Sequence, residues 1–162
     1  MSIFSWARNV LPVLALTAWP AVALANIGDD LTQLRARYGS VTYMGPQLLF
    51  EVRLDKDQIV PASGAAHPED HFSITVYFDG DHSAMEIFTR NTSDPAKSDL
   101  TPQDIETILA ATSEGLTWDP AQTRNGKQIW VRSDKKLIAR FNPNTSSDPN
   151  GASVLVIMLN SK

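Results

Sequence analysis

The stretch from position 67 to 82 holds the densest set of metal-ligating side chains in the sequence: His67, Asp70, His71, Asp79, Asp81 and His82, with all three histidines inside it. His67 and His71 stand four apart, a spacing that on a helix aims both imidazoles at one zinc ion. Pro68-Glu69-Asp70 lies between them, behind a loop of small residues. A proline can open a helical turn there but does not compel one. Asp79-Gly80-Asp81-His82-Ser83 has the opening of a calcium loop. That loop needs glycine at its sixth position and a bidentate acid at its twelfth, and these fall on Ala84 and Arg90. A hairpin turn, using aspartate and glycine for their backbone freedom, is the simpler reading.

Other chemistries have less to work with. There is no cysteine, so no thiol nucleophile. No Gly-x-Ser-x-Gly elbow occurs, and histidines confined to one stretch leave few ways to set a base beside a serine. Glu51, Asp55 and Asp57 alternate near the end of an expected strand. Acid–base work would need their environments to push the pKa values apart; at a strand end such acids serve solubility. Nothing calls for a cofactor, and no glycine-rich phosphate loop is present.

The elements that must position these groups can be read from periodicity. Asp29-Asp30 opens a helix to about Tyr38, with Ile27, Leu31, Leu34 and Tyr38 at helical spacing and Gly39 as its stop. Thr42 to Leu54 is rich in strand formers and is interrupted by Gly45-Pro46, giving one bent strand or two short ones. Residues 55–70 read as a polar loop. Phe72 to Phe78 alternates cleanly, with Phe72, Ile74, Val76 and Phe78 on one side; Asp79-Gly80-Asp81 turns the chain, and Ala84 to Arg90 returns. Thr101-Pro102-Gln103-Asp104 opens a second helix with a hydroxyl cap, a proline at the first helical position and an acid three residues after the cap. Gly115 ends it. Short strands follow at Leu116–Asp119, Gln128–Arg132 and Lys136–Asn142. After a polar loop to Gly151, the almost wholly apolar Ala152–Leu159 suggests a strand in the sheet centre. The expected fold is α+β: an antiparallel sheet of about six strands with two helices packed on one face, in the order helix, strands, helix, strands. Each half then has one capped helix and about three strands, which raises an internal duplication, although no side-chain pattern repeats.

Residues 1–25 have the three parts of a cleavable export signal. Arg8 is the one charge among the first 28 residues, Val10 to Ala18 is broken only by Pro12 and Thr17, and Ala23-Leu24-Ala25 offers small residues for a cut after Ala25. A retained span needs about 20 apolar residues, which this run reaches only by counting Thr17, Trp19 and two prolines. Residues 26–162 then form a single α+β domain, periplasmic or secreted, with no membrane span after cleavage. Its 137 residues carry 13 basic and 18 acidic side chains. A mildly acidic protein with no basic run lacks the electrostatic footprint for nucleic acid. A domain of this length buries about two-thirds of its unfolded surface, so it can do without disulfides. Trp118 and Trp130 are its two tryptophans. With Tyr77 and Phe141 they form either an exposed patch or core. Asn91-Thr92-Ser93 and Asn144-Thr145-Ser146 fit the glycosylation pattern.

Two passages carry a likeness. Asp29 to Gly39, ending Arg37-Tyr38-Gly39, resembles the opening helix of small exported bacterial α+β proteins. Leu100-Thr101-Pro102-Gln103-Asp104-Ile105, running on to Gly115 and Trp118, is similar to the second helix of such proteins. The architecture resembles the β-lactamase-inhibitor-protein-like group, which includes small outer-membrane assembly lipoproteins. That resemblance implies a protein that binds other proteins and has no active site; the lipidated cysteine of the lipoproteins is missing here. Two expectations follow. One is an exported non-enzymatic interaction module, its partner another envelope or extracellular protein, met by one sheet face or by the loops 55–70 and 142–151. The other is a small exported metal-dependent hydrolase working from His67, His71 and His82.

Overall fold

The computed structural model describes residues 27–56, 58–62, 71–92, 94, 97–144 and 152–161. Residues 1–26, Asp57, His67, Asp70 and most of the two long loops lie outside them. In chain order the elements are α1 (Leu31–Tyr38), β1 (Val41–Met44), β2 (Gln47–Asp55), β3 (Gln58–Pro61), β4 (His71–Asp79), β5 (His82–Asn91), α2 (Pro102–Ala111), β6 (Gln122–Arg124), β7 (Lys127–Val131), β8 (Leu137–Asn142) and β9 (Val154–Leu159).

Local chemistry sets the helix starts. Asp30 caps α1 and Thr101 caps α2, each in a reciprocal box with the third helical residue: Asp30 with Gln33, and Thr101 with Asp104. α1 therefore begins two residues after Asp29. α2 ends at Ala111 with Thr112 as its cap, ahead of Gly115. The Thr112 hydroxyl donates to the carbonyls of Ile108 and Leu109 and closes the last turn.

The strands are all antiparallel and number nine among the described residues, in the order β1-β2-β4-β5-β9-β8-β7-β6, with β3 paired beside β1 on the outer side of β2. The count exceeds the expected six for three reasons. Gly45-Pro46 makes a two-residue turn, so Thr42–Leu54 becomes two strands (Met44 opposite Gln47). The expected loop 55–70 contains β3, which the polar residues around it conceal. Asn125 and Gly126 both take positive φ, 52° and 74°, as a type I′ turn requires, and this adds β6. In contrast, Leu116–Asp119 contributes only a single bridge, Trp118 to Arg132. Five strands follow α1 and four follow α2.

Two meanders thus run inward from opposite edges and meet at β5–β9. β9 lies at the centre as expected, with Leu155, Val156 and Ile157 all buried. The inner face carries Phe50, Val52, Ile74, Val76, Phe88, Leu137, Ala139, Leu155 and Ile157. Both helices pack here, against β2 and β3. Tyr38 is fully buried and meets Phe50 edge-on, ring centroids 5.4 Å apart. Arg90 lies over the Phe72 ring, 5.1 Å from its centroid, and pairs with Asp104 on α2.

One continuous core implies one cooperative transition. Phe88→Ala, at the seam between the meanders, should cost about 3–5 kcal/mol. Urea unfolding followed by tryptophan fluorescence and by far-UV circular dichroism should keep coincident midpoints; separated midpoints would mean that the two meanders unfold independently.

Candidate functional site

β4 and β5 position the histidines and aspartates singled out by type and spacing. His71 opens β4 opposite Asn91, whereas Asp79 closes it opposite His82. The eight steps from His71 to Asp79 span roughly 27 Å of strand. His71 and His82 therefore stand at opposite ends of the hairpin, out of reach of one zinc ion. Asp79, Asp81 and His82 lie at the turn, Asp79 opposite His82. There the His82 Nδ1–H donates to the Gly28 carbonyl at 2.9 Å, an anchor for the chain ahead of α1. Among the described residues no three His, Cys, Asp or Glu side chains come together in a metal-holding group. Glu51 accepts from the Ser73 hydroxyl (3.2 Å) and from Asn91 Nδ2 (3.1 Å), and Asp55 sits by Arg53. Among the described residues no helix is long and apolar enough to cross a membrane.

A strongly perturbed carboxyl is one that spacing did not single out. Glu86 lies on the inner face of β5 between Val76 and Ile157 and is fully buried. The Tyr38 hydroxyl donates to its Oε2 at 3.1 Å, while Oε1 has no hydrogen-bond partner among the described residues. Arg37, ion-paired with the buried Asp29, completes the cluster. Burial lifts the Glu86 carboxyl from its ordinary 4.5 to about 7, against the Tyr38 hydrogen bond and the Arg37 charge. Burial raises Asp29 too, with Arg37 opposing it. Tyr38 is raised by its burial and by the Glu86 charge. Hydrophobicity alone hides this arrangement. Along β5, Met85 and Ile87 look like the inward pair, yet Glu86, Phe88 and Arg90 face in, because Tyr38 and Asp104 wait there for the two charges.

The reversed register leaves the outer face apolar. Tyr77, Met85, Met158, Ile138 and Val131 follow one another across five strands as successive cross-strand pairs. A second row runs Leu49, Thr75, Ile87, Val156, Arg140 and Ile129. Ile87 and Arg140 flank Val156 so closely that it is 5% exposed with no helix over it. A third row, Glu51, Ser73 and Thr89, is polar. The outer face therefore grades from apolar at the Tyr77 end to polar at the Glu51 end. Trp118 and Trp130 belong to the other side: both pack on the inner core, and the Trp118 indole N–H donates to the Leu109 carbonyl at 2.8 Å. No protein-family model, curated protein or solved structure matches the chain.

Unfolded, Glu86 ionises in its ordinary range; folded, it keeps its proton to about pH 7. Between those values the native state binds more protons, so stability should fall as pH rises through the window and level off above it. The total is roughly 3 kcal/mol. Urea unfolding from about pH 5 to about pH 8 should show that slope, and Glu86→Gln should flatten it. An unchanged slope in Glu86→Gln would remove the assignment to Glu86.

Proposed function

We propose that the chain is an exported, non-enzymatic binding module that offers the outer face of its sheet to another protein of the envelope or extracellular space. The observation that carries this reading is the apolar row Tyr77–Met85–Met158–Ile138, placed on the face opposite both helices. Contiguous apolar surface rimmed by polar residues is what protein-binding sites use. Here the rim is the Glu51–Ser73–Thr89 row. Tyrosine supplies a large anchor with few rotatable bonds, and the two methionines can adapt to a partner's contours. The leader supports export: a cut after Ala25 releases the α+β domain into a compartment where a cysteine-free protein relies on its core alone. The hydrolase reading gains no comparable support, because His71 and His82 lie at opposite ends of one hairpin.

Mass spectrometry of the protein recovered from the envelope or medium should find Asn26 as its amino terminus; Met1 or Ser2 on a soluble intracellular form would end the export reading. A photo-crosslinking amino acid at position 85 or 158 of the full chain should capture one and the same partner, and the same probe at Gln103, exposed on α2, should not. Ile87→Lys should cut that yield about tenfold or more. Equal capture from position 103, or none from 85 and 158, would remove the outer face as the binding surface.

A further inference from the structure

A concavity lies on the inner side of the sheet, away from the face just described. It is a groove of about 370 Å³ between α2 and the β7–β8 pair, within the size range of small-molecule sites. Ile105 and Leu109 from α2, and Trp130 and Phe141 from the strands, form its apolar lining; Glu106 and Gln128 are polar, and Glu106 is the one charged side chain among the lining residues. Glu106 is exposed, and among the described residues no ion pair or hydrogen bond holds it. Pro102 and Ala110, one helical turn away on either side, cannot offer it a cation.

The fold already shows what such a set of groups accepts. Two residues earlier on the same helix, Asp104 and the Phe72 ring hold the guanidinium of Arg90 between a carboxylate and an aromatic face. The groove offers the same complement, Glu106 with Trp130 and Phe141, and its lining contains no cation. An aromatic face attracts a positive charge through its quadrupole, tryptophan most strongly. A carboxylate alongside adds Coulomb attraction, and the apolar walls favour a hydrocarbon body.

We propose that the groove between α2 and β7–β8 binds a small organic cation with an apolar body, an aryl- or alkylammonium. The apolar part lies against Ile105, Leu109 and Phe141, and the charged head sits between Trp130 and Glu106.

Nuclear magnetic resonance titration of the purified protein tests this with three probes of one shape class: benzyltrimethylammonium, its neutral carbon isostere neopentylbenzene, and the anion benzenesulfonate. The ammonium should shift the Trp130 indole and Phe141 signals saturably and leave Ile87 and Met158, on the other face, unmoved. It should bind about fivefold or more tightly than either of the other two. Glu106→Gln, a change at an exposed side chain, should lower the ammonium's affinity toward that of the neutral isostere, the aromatic share remaining, without altering the isostere's own affinity. Equal affinity for all three probes, an unchanged affinity in Glu106→Gln, shifts located elsewhere, or none up to about 10 mM ammonium would each overturn the proposal.

Discussion

A carboxylate on the inner face of a central strand sets the terms for the first half of this fold. Glu86 lies between two aliphatic residues, where a charge without partners would cost several kcal/mol. Its partners all come from the chain's start: the Tyr38 hydroxyl, the Arg37 guanidinium and, through Arg37, Asp29. Backbone bonds fix the same approach. Gly28 donates to the Ser83 carbonyl and Ser83 donates to the Asp29 carbonyl, at 2.8 and 2.9 Å. The segment before α1 is thereby laced to the first residues of β5, and α1 has one seat over the sheet. An apolar residue at 86 would fill the space but leave the buried Tyr38 hydroxyl without its partner, and it would not specify which side chain of α1 must arrive above it.

The same carboxylate decides what the outside of the sheet looks like. Strand side chains alternate, so turning Glu86, Phe88 and Arg90 inward turns Met85, Ile87 and Thr89 outward. The register shift between Tyr77 and Phe78 lets Ser83 stay opposite Phe78 while Met85 takes its place opposite Tyr77. A shift of one position would return two apolar side chains to the core and expose both charges. It would also strand Tyr38 and Asp104, whose partners would then point to solvent. The apolar outer face is therefore a consequence of how the polar groups of the core are satisfied, and no loose surplus of hydrophobic residues is needed to explain it.

Elements with a local signature were legible in the sequence. Both caps, the Thr101-Pro102 helix start, the clean alternation from Phe72 to Phe78 and the apolar run of the central β9 each follow from residues within one turn or one strand. What escaped depends on partners outside the element itself. β3 exists because Ile59 and Pro61 find Leu54 and Val52 on β2; its two strand formers, Ile59 and Val60, are too few beside a proline to announce it. The inward register of β5 depends on Tyr38, 48 positions away, and on Asp104. His71 and His82 are parted for the converse reason. Closeness in sequence is spent along an extended strand, where each residue carries the chain a further 3.4 Å or so, so β4 carries His71 away from His82.

The order β1-β2-β4-β5-β9-β8-β7-β6 has the mirrored form that two copies of a helix-and-meander unit would give when joined through their last strands. The helices break that mirror. α1 packs on β2 and β3 of its own half, but α2 also packs on β2 and β3, across the seam from the strands that follow it. β3 has no counterpart beyond β7, and in its place the chain after α2 crosses by the single Trp118–Arg132 bridge. Arg132, buried and ion-paired with Glu114 and Asp134, ties the exit of α2 to the β7–β8 turn and holds this crossing in place. With α2 drawn toward the first half, the inner face of β7 and β8 is met only by the edge of the helix. Trp130 and Phe141 are left half-covered there, opposite Ile105 and Leu109. The groove is thus the space that the asymmetric seating of α2 opens, and it persists because Arg90 and Asp104 hold one end of the helix while Trp118 and Arg132 hold the other.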